Sequence, residues 1–202
     1  LPALHTLGVD RSDVVLLSPA DADHAVGSLA VSRGLKVTRV ISGDPPGLPA
    51  ILRAEACESG RQWQWDGVRF QLWQWSAAHD SNQRSCVLQI EANGERLLLT
   101  GDIDTAAERA LLESPLARPT RWLQAGSRSS SSMALLRALR PHSVLISRGQ
   151  GNSFGHPHPL VLARYRQQGL RIYDSAQHGA IHLRLGGFQA PWLMRQQRRF
   201  WR

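Results

Sequence analysis

Lysine is nearly missing from this chain: Lys36 is the only one, although Lys and Arg together number 24. Acidic residues are also scarce, 16 in all, and the formal net charge is +8. Arg matches phosphate oxygens bidentately, so an Arg-borne excess suits a polyanion partner. High-GC coding bias produces the same excess with no partner at all. Cysteine is limited to Cys57 and Cys86. This excludes a CxxC zinc site and offers no disulfide framework; Cys86, in an apolar strand pattern, is expected to be a small core residue. The redox compartment stays open. No apolar run reaches the roughly 18 to 20 residues that span a bilayer, and no signal peptide opens the chain. The abrupt start at Leu1-Pro2, in a helical pattern, is what a domain cut from a larger protein would give.

What is present is the composition of a folded protein, 42% hydrophobic and 20% charged over 202 residues. One domain is the default at that length. Val14–Leu17 and Val37–Ile41 are expected to be buried strands flanking a helix over His24–Arg33, and Leu48–Glu58 a short helix. Val68, Phe70 and Leu72, then Cys86, Leu88 and Ile90, alternate with polar residues as half-buried strands do, and Asn93-Gly94 signals a tight turn into the strand Arg96–Thr100. Trp63/Trp65 and Trp73/Trp75 are i, i+2 pairs, which puts each pair on one strand face as packing or as an aromatic ledge. Further along, Asp104 and the serines before Met133 are expected to cap helices. Strands follow at Arg121–Gln124, Ser143–Ser147, Gly169–Tyr173 and Gly179–Leu185, with a helix over Pro159–Gln168. Such alternation predicts a layered α/β fold.

Three loops at strand ends collect metal-ligand residue types. The first is Ser18-Pro-Ala-Asp-Ala-Asp-His24, with Asp21, Asp23 and His24. Carboxylates and an imidazole packed that closely call for a positive charge between them, which a divalent cation supplies. The alternative is an acidic helix cap at Asp21 or Asp23. The second loop is Gly101-Asp102, where Asp102 is either a ligand or a cap. The third is Asn152–His158, with His156 and His158. Loops at one edge of a sheet converge on one cleft.

Together these segments resemble the metallo-β-lactamase-like domain of ComEC-type competence proteins, the inner-membrane DNA-uptake channels of bacteria. The segments that carry the resemblance include Leu1–Gly8, Asp13–Gly27, Asn82–Leu88, Leu97–Ile103 with Ala107-Glu108, Gly126–Ser132, Asn152–His158, Tyr173 with Gly179–Ile181, and the Arg/Trp-rich tail. It implies a single α/β domain over 1–202, an αββα sandwich whose N-terminal strands would lie upstream of Leu1, as part of a larger membrane protein. It further implies hydrolysis of DNA phosphodiester bonds by a two-metal cleft on the periplasmic side. The implied partners are single-stranded or duplex DNA, the membrane channel portion of the same polypeptide, and other competence proteins.

The resemblance also exposes losses. Pro19 stands where the family's first histidine ligand would be, and proline offers no donor atom. Gln124-Ala125 runs straight into Gly126-Ser127 where a His-His pair would precede Gly-Ser. Of one implied metal site only Asp21 remains; of the other, Asp23, His24, Asp102 and His156 are all present. Four N/O ligands suit one Mn²⁺ or Zn²⁺. Asp21 and Asp23 are the candidate catalytic carboxylates. Ser127 and Arg128 sit where a cleft-facing loop is expected, either to hold a DNA phosphate or to lead into the serine cap. The expectation is a DNA-processing domain of nuclease ancestry with one metal site degraded, or, alternatively, a non-catalytic DNA-guiding module. A small-ester or nucleotide hydrolase fits the Arg excess less well.

Overall fold

The computed structural model describes residues 2–18, 22–124, 130–151 and 155–196. A parallel sheet of order β1-β2-β3 comprises β1 (Arg11–Leu17), β2 (Lys36–Ser42) and β3 (Glu55–Ala56). The larger sheet runs β4 (Gln62–Trp65), β5 (Val68–Trp73), β6 (Val87–Ala92), β7 (Glu95–Leu99), β8 (Trp122–Gln124), β9 (Ser143–Ile146) and β10 (Arg171–Asp174), in spatial order. Its first four strands form an antiparallel meander and the last four are parallel. A short ribbon pairs β11 (Ile181–His182) with β12 (Trp192–Leu193). The helices are α1 (Pro2–Thr6), α2 (Ala22–Gly34), α3 (Thr105–Leu112), α4 (Met133–Leu139), α5 (Pro159–Gln167) and α6 (Ser175–His178).

The pleat of the larger sheet generates two cores from neighbouring residues. Val87, Leu98, Leu123 and Val144 point to the helical layer with Leu111, Leu135 and Tyr165. Leu72 and Leu88 point the other way, against Ile41 of the small sheet. Apolar neighbours such as Leu97-Leu98-Leu99 in β7 therefore serve opposite faces of one sheet. The tight turn at Asn93-Gly94 has φ of 48° and 78°, which sets the hairpin register Ala92↔Glu95. Trp63 stacks on Phe70 at 5.2 Å, and Trp65 meets Trp63 edge-on at 5.7 Å, so this pair shares one face as expected.

Three expectations are corrected. Cys57 and Cys86 are joined in a disulfide, with Cα atoms 5.9 Å apart across a sequence separation of 29. Periodicity marked Cys86 as buried, which it is, but carries no information on a partner that distant. No helix spans Leu48–Glu58: Pro45-Pro46 and Pro49 withhold the amide donors a helix needs, leaving 3₁₀ turns at Pro45–Gly47 and Ala50–Leu52 before β3. The expected strand Gly179–Leu185 shortens to Ile181–His182.

Candidate metal cleft

Parallel strands share a direction, so the loops after β1, β7, β9 and β10 leave from the C-terminal ends of strands, the usual place for a site in such sheets. The two sheets meet there through glycine. Gly101 has φ +59°, and a side chain on it would collide with Ser18 Oγ at the end of β1. A side chain on Gly43, after β2, would collide with the Arg84 carbonyl. Residues 84–85 are the hub between them. Gln74 Nε2 donates to the carbonyls of Gly43 and Arg84 at 2.5 and 2.6 Å, and the Asp102 amide donates to Ser85 Oγ at 3.0 Å. Thr100 Oγ1 donates to the Gln124 carbonyl at 3.2 Å, tying the loop to β8. Ser18 Oγ is buried and has no hydrogen-bond partner among the described residues.

Asp102 is not the cap of α3. That role falls to Asp104, whose Oδ1 accepts from the Ala107 amide at 2.9 Å. Asp102 instead lies within electrostatic reach of His156. Burial pushes the His156 imidazole below its ordinary value, Asp102 and Asp174 pull it back up, and Arg148 lowers it further. The net lowering favours the neutral ring, the form able to ligate a cation. Asp23 and His24 fall in the first turn of α2, with side chains outside the described set; Asp21, Ser127 and Arg128 lie outside the described residues altogether. His158 caps α5, its Nδ1 accepting from the Leu160 amide at 3.2 Å, and His79 packs edge-on against Trp75. Among the described residues no three His, Cys, Asp or Glu side chains form a metal-holding group. The Asp102 carboxylate, the His156 imidazole and the buried Ser18 hydroxyl are N and O donors of the kind that fit a divalent cation.

No family model matches the chain. Competence protein ComA of Neisseria gonorrhoeae is 34% identical over 192 residues, covering 92% of this chain and 27% of that protein. Recombination protein 2 of Haemophilus influenzae is 28% identical over 191 residues, 91% of this chain and 23% of that protein. The chain is homologous to these competence proteins. It spans about a quarter of their length. Two solved structures share the architecture. CmlA, a diiron β-hydroxylase from Streptomyces venezuelae, gives a TM-score of 0.55 at 13% identity over 82% of this chain and 44% of its own. Igni18, a metallo hydrolase from Ignicoccus hospitalis, gives 0.51 at 14% over 81% and 76%. The chain shares the mixed α/β fold of these two proteins.

Further residues of this competence-protein homologue border the cleft without having been singled out by their motifs. Arg148 follows β9, and its Nε and Nη2 donate to Asp174 Oδ2 at 2.8 and 2.6 Å. Asp174 is 3% exposed and also caps α6 through the Ala176 amide. Glu108 of α3 is fully buried and accepts from the backbone amides of Ser131 and Ser132, so it anchors the segment that follows residues 125–129. Burial pushes its carboxyl up, against the lowering effect of those amides. A carboxylate directly after a strand was a usable sign for Asp174. Nothing local distinguishes Glu108 from an exposed helical glutamate.

Proposed function

We propose that this chain is a DNA-processing domain of a competence DNA-uptake protein, of metal-dependent phosphodiesterase ancestry and with one of two metal sites degraded. What supports this most is the packing of Ser18, Ser85 and Gly101 that brings the loop after β1 against Asp102, with His156 in the field of the same carboxylate. Asp23, His24, Asp102 and His156 would hold one Mn²⁺ or Zn²⁺. Such an ion supplies positive charge to a phosphodiester oxygen when bound. Asp102 is oriented from its backbone by Ser85, and His156 offers an unprotonated ring nitrogen. Asp21 and Asp23 would supply the catalytic carboxylates, Asp21 being the remnant of the stripped site in sequence. Arg148, fixed by Asp174, together with Ser127 and Arg128, holds the DNA backbone.

The Cys57–Cys86 disulfide supports placement on the periplasmic side, since structural disulfides persist in oxidising compartments. No helix among the described residues is long and apolar enough to cross a membrane, so the channel portion and other competence proteins would be supplied by sequence outside this span.

Elemental analysis of the purified protein beside His24→Ala tests the reading. One equivalent of metal, lost in the variant, together with Mn²⁺-dependent cleavage that Asp102→Ala abolishes, is the expected outcome. The second reading, a non-catalytic DNA-guiding module, is favoured by Pro19 in a ligand position. Absence of metal from both proteins would establish it and retire catalysis.

A further inference from the structure

The opposite end of β7 and β8 from the cleft carries a second construction. Glu95, at the start of β7, is 1% exposed and accepts from three donors, Trp122 Nε1 at 2.7 Å, the Gly186 amide at 2.7 Å and the Phe188 amide at 2.9 Å, and it forms an ion pair with Arg121, whose Nε lies 3.0 Å away. Two of these donors belong to the loop between β11 and β12. Arg121 Nη2 also donates to the Phe188 carbonyl at 3.1 Å. The loop is therefore clamped through both peptide units that flank Phe188.

The clamp holds Phe188 at φ +54°, a left-handed conformation that bulky residues rarely adopt. Burial of the ring could offset that strain, but Phe188 remains 53% exposed. Its ring lies 5.5 Å from the Arg121 guanidinium, which also sits 5.7 Å from the Trp122 ring. At the base of the loop His182 and Trp192 meet edge-on at 4.8 Å, with Trp192 44% exposed. Arg184 is exposed on the same loop and has no acidic partner among the described residues. Strain maintained by a buried charge network, in order to keep an aromatic face in water, is a mark of a binding surface rather than of packing.

We propose that Phe188, with Arg121 and Arg184, forms a stacking platform for single-stranded nucleic acid, separate from the cleft. An exposed ring backed by a guanidinium accepts any base face, and an unpaired arginine beside it meets the backbone phosphate. The inference rests on the DNA-handling reading only in its choice of polymer, and it needs no metal.

The test is fluorescence anisotropy with an oligothymidylate and with an abasic oligonucleotide of equal length, on wild type, Phe188→Gly and Phe188→Trp. Glycine suits φ +54° and keeps both backbone hydrogen bonds, so the melting temperature of Phe188→Gly should hold or rise. Its affinity for oligothymidylate should fall about 5- to 100-fold, with the abasic probe unchanged and Phe188→Trp restoring binding. Equal oligothymidylate affinity in wild type and Phe188→Gly overturns the platform. So does a wild type that binds neither probe, whatever metal its cleft holds. Self-association of wild type that Phe188→Gly abolishes, without an effect on oligonucleotides, assigns the patch to a second copy of the chain instead.

Discussion

Removing the Cys57–Cys86 bond perturbs both stability and the cleft, and its size follows from the chain. The bond closes a loop of 29 residues. On the chain-entropy account such a loop is worth roughly 3–4 kcal/mol at room temperature. For a domain of 202 residues the unfolding entropy is about 0.4 kcal/mol/K, so the melting temperature should drop by about 8–10 °C. Both cysteines are buried, at 4% and 2% exposure, so replacement by alanine adds a small packing loss to the same direction. The bond also pins the segment whose Ser85 accepts from the Asp102 amide, so metal retention should weaken in parallel. Differential scanning calorimetry of Cys57→Ala/Cys86→Ala against the oxidised and reduced wild type measures the first effect, and elemental analysis the second. Equal melting temperatures for oxidised and reduced protein would refute the argument, because they would mean that the cross-link constrains nothing in the unfolded chain.

Gly101→Ala should destabilise the protein by about 2–3 kcal/mol through its positive φ and the collision with Ser18, and urea titration reads this. Metal binding should be lost with it. Glu108→Ala leaves the Ser131 and Ser132 amides buried without their acceptor and should cost roughly 2–4 kcal/mol in the same assay. Burial alone would raise the Glu95 carboxyl, yet its Trp122, Phe188 and Gly186 donors and Arg121 hold it below the ordinary 4.5. A folded-state value below the unfolded one stabilises above about pH 4.5 and loses that effect as pH falls through the folded value. The stability gap between wild type and Glu95→Gln should thus be full at neutral pH and close on the acid side; a gap that stays constant in melting experiments across that range would refute it.

The two-residue alternation of β5 and β6, the Asn93-Gly94 turn and the caps at Asp104 and Ser132 were legible because each depends on neighbours in sequence. Asp102 and His156 stand out in sequence for the same reason, as chemistry-bearing residues shortly after apolar strands, and their role as ligands is part of the proposal. What escaped is long-range. Gln74 and Ser85 matter because they bind loops 31 and 17 residues away, and neither carries a motif. The disulfide, the Arg148–Asp174 pair and the Glu95 clamp are of this kind too. The 48–58 segment failed differently: its apolar residues suggested a helix, but its prolines removed the hydrogen bonds first.

The carboxylates of this chain sort by what their oxygens accept. Asp104 and Asp174 receive the amides of the helices that follow them, Glu108 receives the amides leading into α4, and Glu95 receives the loop before β12. Each is committed to holding backbone, and a residue so committed gives up part of its capacity to bind anything else. Asp102 does not cap the helix that follows it. Its placement comes from its own amide on Ser85, while the neighbouring Asp104 takes the capping duty that Asp102 would otherwise serve. A strand-end carboxylate positioned through its own amide, in the field of a half-buried imidazole, is what the proposed cation site needs here. Because Asp104 caps α3, the position of Asp102 is set through Ser85 rather than by the helix, and that placement is compatible with the proposed metal role despite the loss at Pro19.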